Sequence, residues 1–154
     1  MKLEFLFVGK TSEKYLEEGI QIYLKRLKHY ASVTISVVAS LSTGNKDAVI
    51  KKESELILKK IGDRDFVVLL DEGGKEFSSV HFADFIAKSM VGGNSRFFFI
   101  VGGAYGVSGD VVERSNLRLS FSKFTLTHQM IRIFLLEQVY RAMTILKKEP
   151  YHHA

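Results

Sequence analysis

The sequence predicts an α/β fold: a layered, mostly parallel sheet with helices on both faces, in one domain spanning residues 1–154. Three observations lead there. Short apolar runs recur at Leu3 to Val8, Val33 to Ala39, Phe66 to Leu70 and Phe97 to Val101. Runs that are continuous rather than alternating are the mark of strands covered on both faces. The stretches between them carry apolar residues at helical spacing, so the order reads β-α-β-α-β-α-β. The composition, 46% apolar and 25% charged over 154 residues, is that of a globular chain able to bury a core without disulfide or metal staples.

The first run opens into Gly9-Lys10-Thr11-Ser12 and then a helix. Leu16, Ile20, Tyr23, Leu24 and Leu27 share one face of it, with Glu13, Glu17, Glu18, Lys25, Arg26 and Lys28 around the rest. Gly9-Lys10-Thr11 is not a phosphate-binding loop, because the position where that motif needs its first glycine is Glu4, inside the strand. The second run is rich in β-branched residues and ends in a polar loop, Ser40 to Asn45. A charged helix follows from Asp47 to Ile61, with Ile50, Ile57, Leu58 and Ile61 as its buried stripe and Gly62-Asp63 as its stop. After the third run, Asp71-Glu72-Gly73-Gly74 turns the chain into a helix from Ser79 to Met90. Leu117, Leu119 and Phe121 alternate with Arg118, Ser120 and Ser122, giving a short fifth strand. The last and longest helix runs from about His128 to Lys148, and Pro150 stops it.

Several function classes fall away. With no cysteine, disulfide scaffolds, thiolate zinc sites, iron–sulfur clusters and thiol catalysis are excluded. No apolar run approaches the ~20 residues of a membrane span, and the start shows no signal-peptide pattern. A soluble cytoplasmic protein is expected. Lys plus Arg exceed Asp plus Glu by 22 to 17, which suits a polyanionic partner, although charge alone favours the plainer reading of solubility.

Three loops follow strand ends and carry residues suited to a ligand. Gly102-Gly103-Ala104-Tyr105-Gly106 leaves the fourth run without side chains to hold a ligand away; a tight turn with positive φ is the plainer reading. Gly73-Gly74 repeats the pattern, so two glycine loops at adjacent strand ends would wall one crevice. The run Phe121 to Thr127 adds hydroxyls and aromatics, although Thr127 also suits a helix cap and the phenylalanines suit the core. On the last helix His128 and Arg132 pair at i, i+4, and Glu137 and Arg141 form a second such pair on roughly the opposite side. Met130, Ile131, Phe134, Leu135, Val139, Met143 and Ile145 occupy most of the remaining circumference. A helix apolar nearly all round asks for burial on two sides, which in so small a protein suggests a second subunit. The closing Tyr151-His152-His153 has no carboxylate cluster beside it, so a metal site is not expected.

Taken in order, Val101-Gly102-Gly103-Ala104-Tyr105-Gly106, Ser115 to Lys123, Thr127-His128-Gln129-Met130-Ile131-Arg132, Glu137-Gln138-Val139-Tyr140-Arg141-Ala142 and the closing Tyr151-His152 closely resemble the SPOUT-class pseudouridine-N3 methyltransferases of ribosomal RNA. With Val8-Gly9-Lys10 at the start, the resemblance covers the whole chain. It implies a trefoil knot toward the C-terminus, a homodimer, and S-adenosyl-L-methionine as methyl donor with no metal. The implied substrate is N3 of a pseudouridine in helix 69 of 23S rRNA within the assembled 70S ribosome, with no part for DNA or membrane. The donor site carries over to Leu70, Gly102 and the run Phe121, Ser122, Lys123, Phe124, Thr125 and Leu126. N3 must lose a proton, and Glu137, His128 and His152 are the candidates to take it. Arg132 and Arg141 would hold the RNA backbone or favour the deprotonated base. Tyr151 and His152 would fold over the substrate, the tyrosine offering a stacking surface. The chain departs from the family pattern at His153-Ala154, so no role that needs charge there carries over. Two other functions compete: a non-catalytic RNA- or ribosome-binding module, and a nucleotide-dependent oxidoreductase, disfavoured because neither Gly9 nor Gly102 opens a dinucleotide fingerprint.

Overall fold

Alternation within the strands decides which side each helix covers. In the computed structural model, which describes residues 1–94 and 96–153, the strands are β1 (Lys2–Val8), β2 (Ser32–Val38), β3 (Phe66–Glu76), β4 (Arg96–Val101) and β5 (Leu117–Ser120). Residue 154, the end of the expected domain and of the His153-Ala154 pair, lies outside the described residues. The helices are α1 (Lys14–Leu27), α2 (Lys46–Leu58), α3 (Ser79–Val91), α4 (Gly109–Arg114) and α5 (Met130–Leu146). Leu3, Phe5, Phe7, Val68, Phe97 and Phe99 point to one face of the sheet, where α1, α3 and α5 pack on them. Leu6, Val8, Val67, Leu69, Phe98 and Ile100 point to the other, under α2 and α4. That is why these runs are apolar at nearly every position.

The sheet has five strands in the order β2-β1-β4-β3-β5, and every pairing is parallel. All strands therefore present their carboxyl ends along one edge, where ligands of open α/β sheets collect. Phe5 and Phe99, register partners on β1 and β4, stack with ring centroids 5.2 Å apart. Glu4, the one charge in the first run, meets Arg96, which also binds Asp65 at 3.1 Å.

Two expectations need correction. Asp71 to Gly74 does not end the third strand; β3 continues to Glu76, and the four residues form a bulge between Leu70 and Lys75, both of which register with Leu119 of β5. The strand resumes because β5 supplies a pairing edge beyond the bulge. Gly74 lets the chains close up, since a Cβ there would stand 2.6 Å from the Arg118 carbonyl carbon. Helix α4 is additional to the expected order, for its six residues are too few to show a periodic stripe.

Helix α5 ends on a left-handed cap. Lys148 has φ 59°, its N–H donates to the Ile145 carbonyl, and the Glu149 N–H reaches the Thr144 carbonyl at 2.9 Å. This is the Schellman pattern, normally closed by glycine. Lys148→Gly should therefore stabilise the fold by roughly 1 kcal/mol. Urea unfolding measures it, and an unchanged or lower midpoint would mean that the lysine stem contributes more than its backbone conformation costs.

Candidate active site

At the carboxyl ends of β3, β4 and β5 the chain encloses a cavity of about 720 Å³, within the range that holds small ligands. Its apolar wall is Leu69, Leu70, Val101, Leu119 and Ile131. The glycine loop 102–107 forms a second wall, and the segment from Ser120 to His128 supplies most of the third. Seven of the eight residues expected at a donor site line it: Leu70, Gly102, Phe121, Ser122, Phe124, Thr125 and Leu126. Lys123, in the same run, is not on that wall. The β3 bulge contributes Asp71 and Glu72 rather than the glycines.

Local bonds hold these walls. Gly106 has φ 84°, and its N–H closes the turn on the Gly103 carbonyl at 3.0 Å. The glycine cluster is thus a tight turn and a cavity wall at once. A Cβ on Gly102 would lie 2.9 Å from Val107 Cγ1, and one on Gly103 would collide with the buried carboxylate of Glu53. From α2, Ser54 Oγ accepts the Ser108 N–H at 2.9 Å, pinning the far end of the same loop. On the third wall the Phe124 N–H donates to Ser122 Oγ at 2.8 Å, and Thr127 Oγ1 caps α5 by accepting the Met130 N–H at 3.0 Å. Phe124 is not core; it is 84% exposed.

The remaining site residues, on α5 and beside its two ends, divide into three. His128 lines the cavity; burial, and then the charge of Arg132, hold its imidazole below the ordinary histidine pKa, so it is neutral near pH 7. Arg132 is fully buried, which corrects its expected contact with RNA. Its guanidinium donates to the carbonyls of Val8 at 2.8 Å, Gly9 at 3.0 Å and His128 at 3.0 Å, and to Thr11 Oγ1 at 3.0 Å. Burial pushes its pKa down to about 10, which still leaves it charged.

The third group is Glu137, Arg141, Tyr151 and His152, which the structure brings together. Arg141 pairs with Glu137, and that hydrogen bond holds the guanidinium pKa up. Glu137 also accepts from Tyr151 Oη at 3.0 Å and Gln138 Nε2 at 2.8 Å. Arg141 Nη1 lies 3.3 Å from His152 Nδ1, and its guanidinium stands 4.8 Å above the Tyr151 ring. Since arginine only donates, Nδ1 is the accepting nitrogen and the ring proton belongs on Nε2. Burial, then bonds to Tyr23 and Glu137, raise the Tyr151 pKa, keeping it a neutral donor. Two supports carry no sequence signal of their own. Tyr23, read only as part of an apolar stripe, meets Tyr151 Oη at 3.4 Å; Ser79 orients Gln138 at 2.8 Å.

Along α5 this cluster is remote from the cavity of its own chain. Arg141 follows Ile131 by ten residues, or about 15 Å of helix. Among the described residues no three His, Asp or Glu side chains come together as metal ligands, and no helix is long and apolar enough to cross a membrane.

Comparison with known proteins decides the family. Residues 1–152 match the family model described as Predicted SPOUT methyltransferase. The chain belongs to the SPOUT methyltransferases. Among its relatives are proteins named ribosomal RNA large subunit methyltransferase H, and the chain is a member of that family too. The one from Christiangramia forsetii is 47% identical over 99% of both chains. Those from Carboxydothermus hydrogenoformans and Porphyromonas gingivalis are each 45% identical, also over 99% of both. In fold, the chain is similar to a methylase family protein from Haemophilus influenzae Rd KW20, with TM-score 0.54 at 10% identity, covering 99% of this chain and 70% of that one. A SPOUT methyltransferase uses S-adenosylmethionine as donor, and the cavity suits one. An apolar floor fits a purine, the hydroxyls of Ser120, Ser122, Thr125 and Thr127 fit a ribose, and among the described residues no lysine or arginine lines it to repel a sulfonium.

Proposed function

We propose that this SPOUT methyltransferase transfers a methyl group from S-adenosylmethionine to N3 of a pseudouridine in helix 69 of 23S rRNA, on the assembled 70S ribosome in the cytoplasm, as a homodimer of one-domain, trefoil-knotted subunits. The observation that carries the reading is the separation of its two halves. The cavity with Leu70, Gly102, Phe121, Ser122 and Thr125 holds the donor. Arg141 stands about 15 Å along α5 from Ile131, with Glu137, Tyr151 and His152 gathered around it, too far to serve that donor within one chain.

A two-fold axis resolves the gap. Ile131, Phe134, Gln138 and Arg141 recur at helical spacing and form one stripe; Phe134 on it is 47% exposed. Two α5 helices laid antiparallel on this stripe exchange ends, so Arg141 of each subunit approaches the cavity of the other. For the knot, the support is the path of the chain. It leaves β5 at one edge of the sheet, and α5 then begins beside β1, where Arg132 holds Val8 and Gly9.

When bound, the donor supplies an electrophilic methyl carbon. The residues of the chain do the rest, chiefly by positioning and by excluding water. Arg141, held by Glu137 and Tyr151, places positive charge where the base becomes an anion and so favours loss of its N3 proton. Neutral His128 in the cavity accepts that proton. N3 then forms its bond to carbon while the S–C electrons stay on sulfur. Tyr151 offers its ring to the base.

The test is transfer of labelled methyl to 70S ribosomes lacking this modification, with the product nucleoside identified by mass. N3-methylpseudouridine is expected. No transfer by folded protein to verified ribosomes would overturn the assigned substrate; absence of donor binding as well would leave an RNA-binding module.

A further inference from the structure

The ionisable side chains on the cavity wall are Asp71, Glu72, Tyr105 and His128. Asp71 is already satisfied, since Arg118 binds its Oδ2 through Nε and Nη2 at 2.7 Å each and the Gly73 N–H binds its Oδ1 at 3.0 Å. Glu72 is different. It forms no ion pair among the described residues, and its one hydrogen bond there is from Thr125 Oγ1, 3.3 Å from Oε2. This contact joins the β3 bulge to the loop before α5, both on the cavity wall, and Glu72 is exposed to solvent there. The result is an anionic group at the open side of a site that otherwise offers apolar surface, hydroxyls and backbone. Such a carboxylate is complementary to a cation that remains partly in solvent.

We propose that Glu72 is a donor-positioning residue that receives the α-ammonium of the methionyl arm of S-adenosylmethionine. This rests on the reading of the cavity as the donor site. The purine belongs on the apolar floor and the ribose among the hydroxyls, which leaves the amino-acid arm for the mouth. There the ammonium is the group that a carboxylate selects. Glu72 thus fixes the arm while Thr125 fixes Glu72, and the two together close one side of the site over the nucleoside. The bulge from Asp71 to Gly74 has a function on this account: it lifts Glu72 out of the β3 ladder and over the mouth.

The test is calorimetric titration of the full-length protein and its Glu72→Gln variant with two ligands. S-adenosylhomocysteine carries the ammonium, and 5′-methylthioadenosine shares the thioether nucleoside but lacks the amino-acid arm. The expected result is a loss of about tenfold in affinity for S-adenosylhomocysteine, with 5′-methylthioadenosine changed by less than about twofold. Glu72→Asp, which keeps the charge on a shorter arm, should recover part of the loss. Unchanged S-adenosylhomocysteine affinity in Glu72→Gln overturns the assignment. Equal losses for both ligands overturn it as well, because Glu72 would then act on the nucleoside or on the shape of the cavity. Failure of the unaltered protein to bind either ligand has a separate meaning: the cavity is not the donor site.

Discussion

Replacing Arg132 with methionine should lower the stability of the fold by about 3–5 kcal/mol, the cost of removing one partner from a buried, charge-assisted network. Methionine matches much of the stem, so little of the loss comes from volume. The rest follows from the acceptors left behind. The Val8 and Gly9 carbonyls lie at the end of β1, and Arg132 donates to both as well as to the His128 carbonyl. A lysine in its place cannot reproduce the fork and should recover only part of the loss. The position also matters for assembly, because Arg132 ties the start of α5 to β1, an interior strand of the sheet. Gln129 adds to the tie, accepting from the Ser12 N–H and donating to the Lys10 carbonyl at 3.0 and 3.1 Å. Urea unfolding of Arg132→Met checks the prediction. A midpoint close to that of the unaltered protein, with the same m-value, would return Arg132 to the substrate-facing role expected from sequence.

That reversal shows how far helical spacing carries. The wheel correctly separates His128 and Arg132 from Glu137 and Arg141, but it cannot say which side faces the sheet. Arginine is rarely buried without partners, and its partners here are backbone carbonyls of β1, more than 120 residues away in sequence. No local pattern encodes them. Strands β1 and β4 are legible for the opposite reason: apolar at nearly every position, they have no environment other than a doubly covered sheet. The β3 bulge is illegible because β3 resumes only through pairing with β5, and glycines ordinarily signal a turn. The cavity stands between these cases. Each of its loops is readable as glycine- or hydroxyl-rich, whereas their convergence depends on β3 lying between β4 and β5. Lys123 belongs to one of these loops yet is not on the cavity wall, because membership of a loop does not say which side chains face inward.

Mixing two inactive variants should restore activity. Gly102→Val places a branched side chain where even a Cβ would stand 2.9 Å from Val107 Cγ1, and it should abolish donor binding while leaving α5 and the tail untouched. Arg141→Ala removes the guanidinium that Glu137, Tyr151 and His152 assemble around; it should lose turnover by about a hundredfold or more and keep its donor affinity. If each site combines the cavity of one subunit with Arg141 of the other, a mixed dimer holds one site with both defects and one with neither. Random reassortment makes about half the dimers mixed, so activity should return to about a quarter of that of the unaltered protein at equal total concentration. A site contained within one chain predicts no recovery, because every cavity in the mixture would still lack one essential part. The experiment thus tests the two-fold arrangement through chemistry rather than through mass alone. It also separates the roles of the two residues. Recovery requires that Gly102→Val subunits still present a working Arg141 cluster and that Arg141→Ala subunits still present a working cavity, so a quarter-level return would establish both halves of the site at once.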